Sequence, residues 1–155
     1  MSLAFEIYNP KNIWAMDTIS LKAYQQMLLD FRKGVQIDFG ETKNNRLSIF
    51  NQKNNETVLV DDTYQLRNNN DFEGIGIVNL NGPITKNGGA STQGTKQMSE
   101  QMLSLASDNR IKGFIIKADS GGGSSNAVNI LVDTINEIKQ TKPVYTLIEK
   151  DGMLA

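Results

Sequence analysis

The sequence contains no cysteine and no histidine, and only 3 prolines and 1 tryptophan among 155 residues. Lacking cysteine, the chain forms no disulfide and carries no thiol nucleophile. Lacking histidine as well, it has neither an ordinary zinc site nor a Ser-His-Asp triad of its own. It also lacks charge of one sign: 16 Lys and Arg oppose 17 Asp and Glu, a net charge of −1, so no basic field draws nucleic acid or an anionic membrane. Long hydrophobic runs are missing too, since no stretch reaches the about 18 apolar residues of a membrane span. The start, Met1-Ser-Leu-Ala-Phe-Glu6, has neither the basic flank nor the apolar centre of a signal peptide. The expectations are therefore no metal or other cofactor, no nucleic-acid partner, no membrane span and a cytoplasmic location. The length suits one domain with a real core.

What is present is a set of periodic segments around one glycine turn. Asp17 or Ser20 can cap a first helix with Leu21, Tyr24, Met27, Leu28 and Phe31 on one stripe, and Gly34 is a natural stop. Trp14 precedes this helix and is expected to pack its segment onto the body. Residues 35–70 are rich in asparagine and hold only brief apolar runs, Leu47, Ile49 and Phe50, then Val58, Leu59 and Val60, which predicts short strands or an extended excursion with loops. A division follows: residues 1–72 as an amino-terminal helix and Asn-rich extended region, and residues 73–155 as the core.

In that core, Ile75, Ile77, Val78 and Leu80 predict a strand ending at Asn81-Gly82-Pro83. Thr95 or Ser91 can cap a second helix with Met98, Met102, Leu103, Leu105 and Ala106 inward, where methionine is core filling and not a cofactor contact. Phe114, Ile115 and Ile116 predict a second strand. Ala127, Leu131, Ile135 and Ile138 predict a third helix over residues 125–139, and Val144–Ile148 a third strand after Lys142-Pro143. Strands alternating with helices predict an α/β fold with parallel core strands and right-handed connections.

Between the second strand and the third helix lies Asp119-Ser120-Gly121-Gly122-Gly123-Ser124. Such a turn exposes backbone N–H groups at the carboxyl end of a parallel strand, where negative charge is favoured. A dinucleotide fingerprint would need glycine where Asn126 stands, and a phosphate loop needs a lysine that does not follow. An oxyanion hole needs only two backbone donors. A tight turn packing helix against strand accounts for an isolated Gly-Gly-Gly equally well.

The wider pattern narrows this choice. Gly76-Ile-Val-Asn-Leu-Asn-Gly-Pro-Ile84, Gly88-Gly89, Asp108-Asn-Arg-Ile-Lys-Gly-Phe-Ile-Ile-Lys-Ala-Asp-Ser-Gly-Gly-Gly123 and Lys142-Pro-Val144 resemble, in order and spacing, the signal peptide peptidase A family of serine proteases. Trp14-Ala15-Met16 is similar to an element of its prophage members, the capsid or prohead maturation proteases. The resemblance is close over the second half of the chain and thin over the first.

It implies a ClpP/crotonase-like spiral of β-β-α units, a serine endopeptidase of Ser/Lys dyad type, a protein or peptide substrate and a homo-oligomer. It also implies that Gly122 and Gly123 are the oxyanion donors, with Ser120, Gly121 and Ser124 beside the substrate. Gly121 departs from the family's usual proline, which should loosen the turn. The family's serine and lysine would both follow Ala155, so the chain is expected to be inactive alone. Lys117, Lys142 and Lys150 match no catalytic position and read as solvated surface charges. Ser120, Ser124 and Ser125 have no visible base. Two other readings stay open: a crotonase-like acyl-CoA enzyme, and a non-catalytic assembly module.

Overall fold

The computed structural model describes residues 11, 13–35, 47–60, 72–88 and 94–148. In chain order these form β1 (Trp14–Met16), α1 (Thr18–Arg32), β2 (Leu47–Asn51), β3 (Glu56–Leu59), β4 (Gly74–Asn81), α2 (Thr95–Ala106), β5 (Ile111–Asp119), β6 (Gly122–Ser124), α3 (Ser125–Lys139) and β7 (Val144–Ile148).

The architecture is α/β with a mixed sheet. Five strands run in the order β3-β2-β4-β5-β7, and β1 pairs with β6 in a separate ribbon. The expected core strands β4, β5 and β7 are mutually parallel, with Ile77 opposite Ile115 and Ile115 opposite Tyr145. α2 and α3 are the connections between them and pack against each other.

The Asn-rich region supplies more of the sheet than its composition suggests. β2 and β3 form an antiparallel hairpin, and β2 joins the edge of β4 with Leu47 opposite Val78. The sheet thus crosses the division expected at residue 72. The asparagines have local work here: Asn51 Oδ1 accepts from the Lys53 N–H, Asn54 Oδ1 accepts from the Glu56 N–H, and Asn55 adopts φ 56°. Side-chain mimicry of a turn and tolerance of positive φ are what asparagine offers a tight connection. Residues 36–46 and 61–70 of the expected excursion lie outside the described residues.

The core lies between one face of the sheet and the α2–α3 layer. Leu47, Ile49, Val78, Leu80, Phe114 and Ile116 meet Met98, Met102, Leu105, Leu131 and Ile138 there. Phe114 is 1 % exposed, and Gly76 on the neighbouring strand makes room for it: a Cβ on Gly76 would stand 2.5 Å from the ring. This is a glycine placed for close approach.

α2 starts at Gly94 with no side-chain cap. The N–H groups of Thr95 and Lys96 donate instead to the carbonyls of Thr85 and Lys86. Thr95 is thus the first helical residue rather than the cap, and Ser91 lies outside the described residues. α1 is capped by Asp17, whose Oδ1 accepts from the N–H groups of Ile19 and Ser20 at 2.9 Å each. Its chain turns away at Gly34, φ 77°. Only Leu28 of α1 is buried, and Phe31, expected on the inner stripe, is 59 % exposed.

Lys142 corrects the reading of a solvated charge. It is half-buried, and its ammonium donates to the carbonyls of Asp108 and Ile111 at 2.5 and 2.6 Å, fastening the end of α3 to the start of β5. Burial lowers its pKa. Lys117 is half-buried on β5, and Lys150 lies outside the described residues. Among the described residues no helix is long and apolar enough to cross a membrane, and no group of acidic side chains could hold a metal ion.

Two tests follow from this packing. Gly76→Ala should destabilise the fold by about 1–3 kcal/mol through overpacking. Combined with Phe114→Leu it should cost less than the two single changes summed, which a urea double-mutant cycle reads directly. Asp108 gives the second: Arg110 Nη2 lies 2.6 Å from Asp108 Oδ2, and this bond holds the carboxyl below its ordinary value. A depressed folded pKa adds stability that is complete above the unfolded value, about 3.9, and is lost as pH falls through the folded one. The wild-type urea midpoint should fall more steeply below about pH 4 than that of Asp108→Asn.

Candidate functional site

The site is built where β5 ends. β4 and β5 run in register as far as Asn81 and Asp119, and both chains then turn. The Gly82 N–H donates to the Asp119 carbonyl at 2.9 Å, which keeps the two turns together. Ser120, 1 % exposed, locks them: its hydroxyl donates to the Gly82 carbonyl at 2.6 Å and accepts from the Gly122 N–H at 3.2 Å. One hydroxyl thus satisfies an acceptor 38 residues away and a donor two residues away. Leaving the buried Gly122 N–H unpaired would cost about 1–3 kcal/mol.

Gly122–Ser124 then forms β6, a strand with a neighbour on each side. On one side is Ile84, whose N–H donates to the Gly122 carbonyl at 3.0 Å and whose carbonyl accepts from the Ser124 N–H at 2.9 Å. On the other is β1, antiparallel, with Trp14 opposite Ser124, Ala15 opposite Gly123 and Met16 opposite Gly122. The flanking bonds, Asp17 N–H to Gly121 carbonyl at 2.9 Å and Ser125 N–H to Ile13 carbonyl at 2.8 Å, fall on alternate pairs of this ladder. In an antiparallel ladder the pair midway between two hydrogen-bonded pairs also exchanges both of its bonds. The Gly123 N–H is therefore directed at the Ala15 carbonyl.

Each glycine answers a different neighbour. A Cβ on Gly121 would collide with the Asp17 carboxylate and the Ser20 hydroxyl. On Gly122 it would meet the Ala15 carbonyl and Met16, and on Gly123 the Ile84 carbonyl. Gly122 also holds φ 102°, a conformation that disfavours any side chain. At position 121, where the resemblance implies proline, an added Cβ would meet the Asp17 carboxylate and the Ser20 hydroxyl at the amino terminus of α1.

The residues singled out from the sequence are thus brought together, in unequal positions. Gly122 and Gly123 are adjacent in β6, and their N–H groups are engaged by Ser120 and β1 instead of standing bare. Gly121 is half-buried beneath Asp17. Ser120 and Ser124 are each 1 % exposed, Ser120 as the lock described above and Ser124 as the α3 N-cap position, without a side-chain capping bond. Ser125 begins α3 and gives its N–H to Ile13.

The electrostatics around the turn come from α1. The hydroxyl and N–H of Ser20 hold the Asp17 carboxyl below its ordinary value. Burial, reinforced by the Asp17 carboxylate, raises the Tyr24 phenol. Sequence reasoning missed Ile84 and Ala15 as partners of the glycines. The available signals were the Gly82-Pro83-Ile84 turn and the Trp14-Ala15-Met16 element, neither of which announces a pairing partner.

No protein-family model matches the sequence, and no curated protein matches it either.

Ser120→Ala should lower stability by about 1–3 kcal/mol, because the Gly122 N–H loses its partner while remaining buried and the part-buried Gly82 carbonyl loses the same hydroxyl. Urea denaturation checks the loss. Amide exchange should place it locally, with Gly122 exchanging faster and the β4 and β5 amides retaining their order of protection.

Proposed function

We propose that this chain is the oxyanion-donor portion of a serine endopeptidase of Ser/Lys dyad type, acting in the cytoplasm in phage-related protein maturation. The proposed whole is a ClpP/crotonase-like spiral of β-β-α units that assembles as a homo-oligomer. The observation that carries the reading is the β6 edge. A backbone N–H at the carboxyl end of a parallel strand lies beside a ladder that already accepts an extended segment in antiparallel register.

A peptide bound in this way would receive backbone hydrogen bonds along its length, as in strand addition. Its scissile carbonyl would then lie near the Gly123 N–H, a donor that the β6 backbone fixes before the reaction begins. Oxyanion stabilisation depends on such fixity, because a donor that needs no reorganisation acts at full strength in the transition state. Gly123 supplies the donor on the ladder side. Gly122 supplies the second once its N–H exchanges the Ser120 hydroxyl for substrate oxygen. The serine nucleophile and its lysine base are proposed to follow Ala155. Ser120 and Ser124 are both enclosed, and the Ser120 hydroxyl is committed to two backbone partners.

The experiment compares this chain with the polypeptide continued beyond Ala155, using an unfolded protein as substrate. Cleavage is expected only from the longer polypeptide, and Ser→Ala at its nucleophile should abolish it. Cleavage by the 155-residue chain alone would overturn the dyad assignment. Calorimetric binding of acyl-CoA with no proteolysis by the longer polypeptide would overturn the protease reading.

A further inference from the structure

Among the described residues β1 pairs only with β6, and it occupies the side of β6 on which the Gly123 N–H points. We propose that Trp14–Met16 is a displaceable pseudosubstrate strand, which closes the glycine turn in cis and gives way to an extended polypeptide segment in trans. The consequence for catalysis rests on the protease reading above; the strand exchange itself does not.

Four observations carry the proposal. First, the attachment of β1 is a short backbone ladder, bounded by the Ser125-to-Ile13 and Asp17-to-Gly121 bonds, which any extended segment can reproduce. Second, its side chains alternate as a bound peptide's would. Trp14 and Met16 are half-buried while Ala15, the residue opposite Gly123, is exposed. Third, the fit is imperfect, because Trp14 Nε1 is enclosed with no hydrogen-bond partner, a cost that a competing strand need not bear.

Fourth, among the described residues β6 is the only strand that pairs with β1, and β6 keeps a second neighbour of its own. The helix that follows β1 buries only Leu28, while Ile19 is 82 % exposed. β6 keeps its other neighbour, since both Ile84 bonds lie on the opposite edge. Departure of β1 would leave an intact strand with an open donor, which is what a docking edge requires. While β1 is bound, the apparent affinity for a peptide is reduced by the fraction of molecules in the open state.

The test uses the 155-residue chain and a labelled synthetic peptide spanning Ile13–Ser20 as the competing strand. Ala15→Pro removes an N–H from the centre of the ladder. Trp14→Gly keeps every backbone donor and removes only the half-buried indole. By fluorescence anisotropy, the folded variants should bind the peptide roughly tenfold or more tightly than wild type. By amide exchange, Gly123 should lose protection while Ser124, bonded to Ile84, keeps it.

Retained protection of the β4 and β5 amides identifies a folded variant, and Trp14→Gly carries the test if Ala15→Pro does not fold. Equal peptide affinity in wild type and folded variant, or unchanged Gly123 protection, overturns the proposal. The two readings fail separately. If peptide binding rises and the polypeptide continued beyond Ala155 cleaves nothing, the protease reading falls and the strand exchange stands. If that polypeptide cleaves equally with and without the substitutions, the pseudosubstrate falls and the protease reading stands.

Discussion

Three neighbours meet Gly121–Gly123 at separations that leave no space for a Cβ: side chains at Gly121 and backbone at Gly122 and Gly123. The amino terminus of α1 presses on Gly121, β1 on Gly122 and Ile84 on Gly123. Steric exclusion of side chains is the constraint on which the neighbouring structure depends. It lets β6 take a neighbour on each edge, it brings the end of β4 against the end of β5, and it admits the cap of α1 into the same turn. A larger residue at Gly122 or Gly123 would have to displace the backbone of β1 or of Ile84.

The hydroxyl of Ser120 converts that crowding into a fixed geometry. Its bonds to Gly82 and Gly122 join two turns that are 38 residues apart in the chain. A second long-range fastening, from the Lys142 ammonium to the Asp108 and Ile111 carbonyls, closes the opposite end of β5. Both are side chain to backbone, and both end on carbonyls at the ends of regular elements. β5 is thus pinned at each end. Between these ends it is held by burial of Phe114 and Ile116, each large apolar side chain contributing about 1.5–3 kcal/mol.

The legibility of each element in the sequence follows from the kind of force that forms it. α2, α3, β4 and β5 carry apolar residues at the period of their structure, so Met98, Met102 and Leu105, or Leu131 and Ile138, announce their own buried side. β2 and β3 were visible only as short apolar runs. A strand of 4 or 5 residues is stabilised by its cross-strand partners, which a linear reading does not contain. Lys142 was misread because composition cannot distinguish an ammonium in water from one that reaches two carbonyls. The α1 stripe differs for a related reason: Phe31 has the correct period, but period alone does not say whether a side chain is covered, and it is 59 % exposed.

The sequence by itself determined the exclusions and the location of the turn. With no histidine or cysteine, whole classes of chemistry are absent from the chain, and three consecutive glycines after an apolar run mark where backbone comes to the fore. Tertiary structure alone decided whether those N–H groups stand free. Hydrogen bonds of the backbone are not encoded by residue type, so nothing in Trp14-Ala15-Met16 declares that it lies along Gly122–Ser124. The register of that pairing, and with it the occupation of the Gly123 donor, arises only when segments more than 100 positions apart fold onto one another.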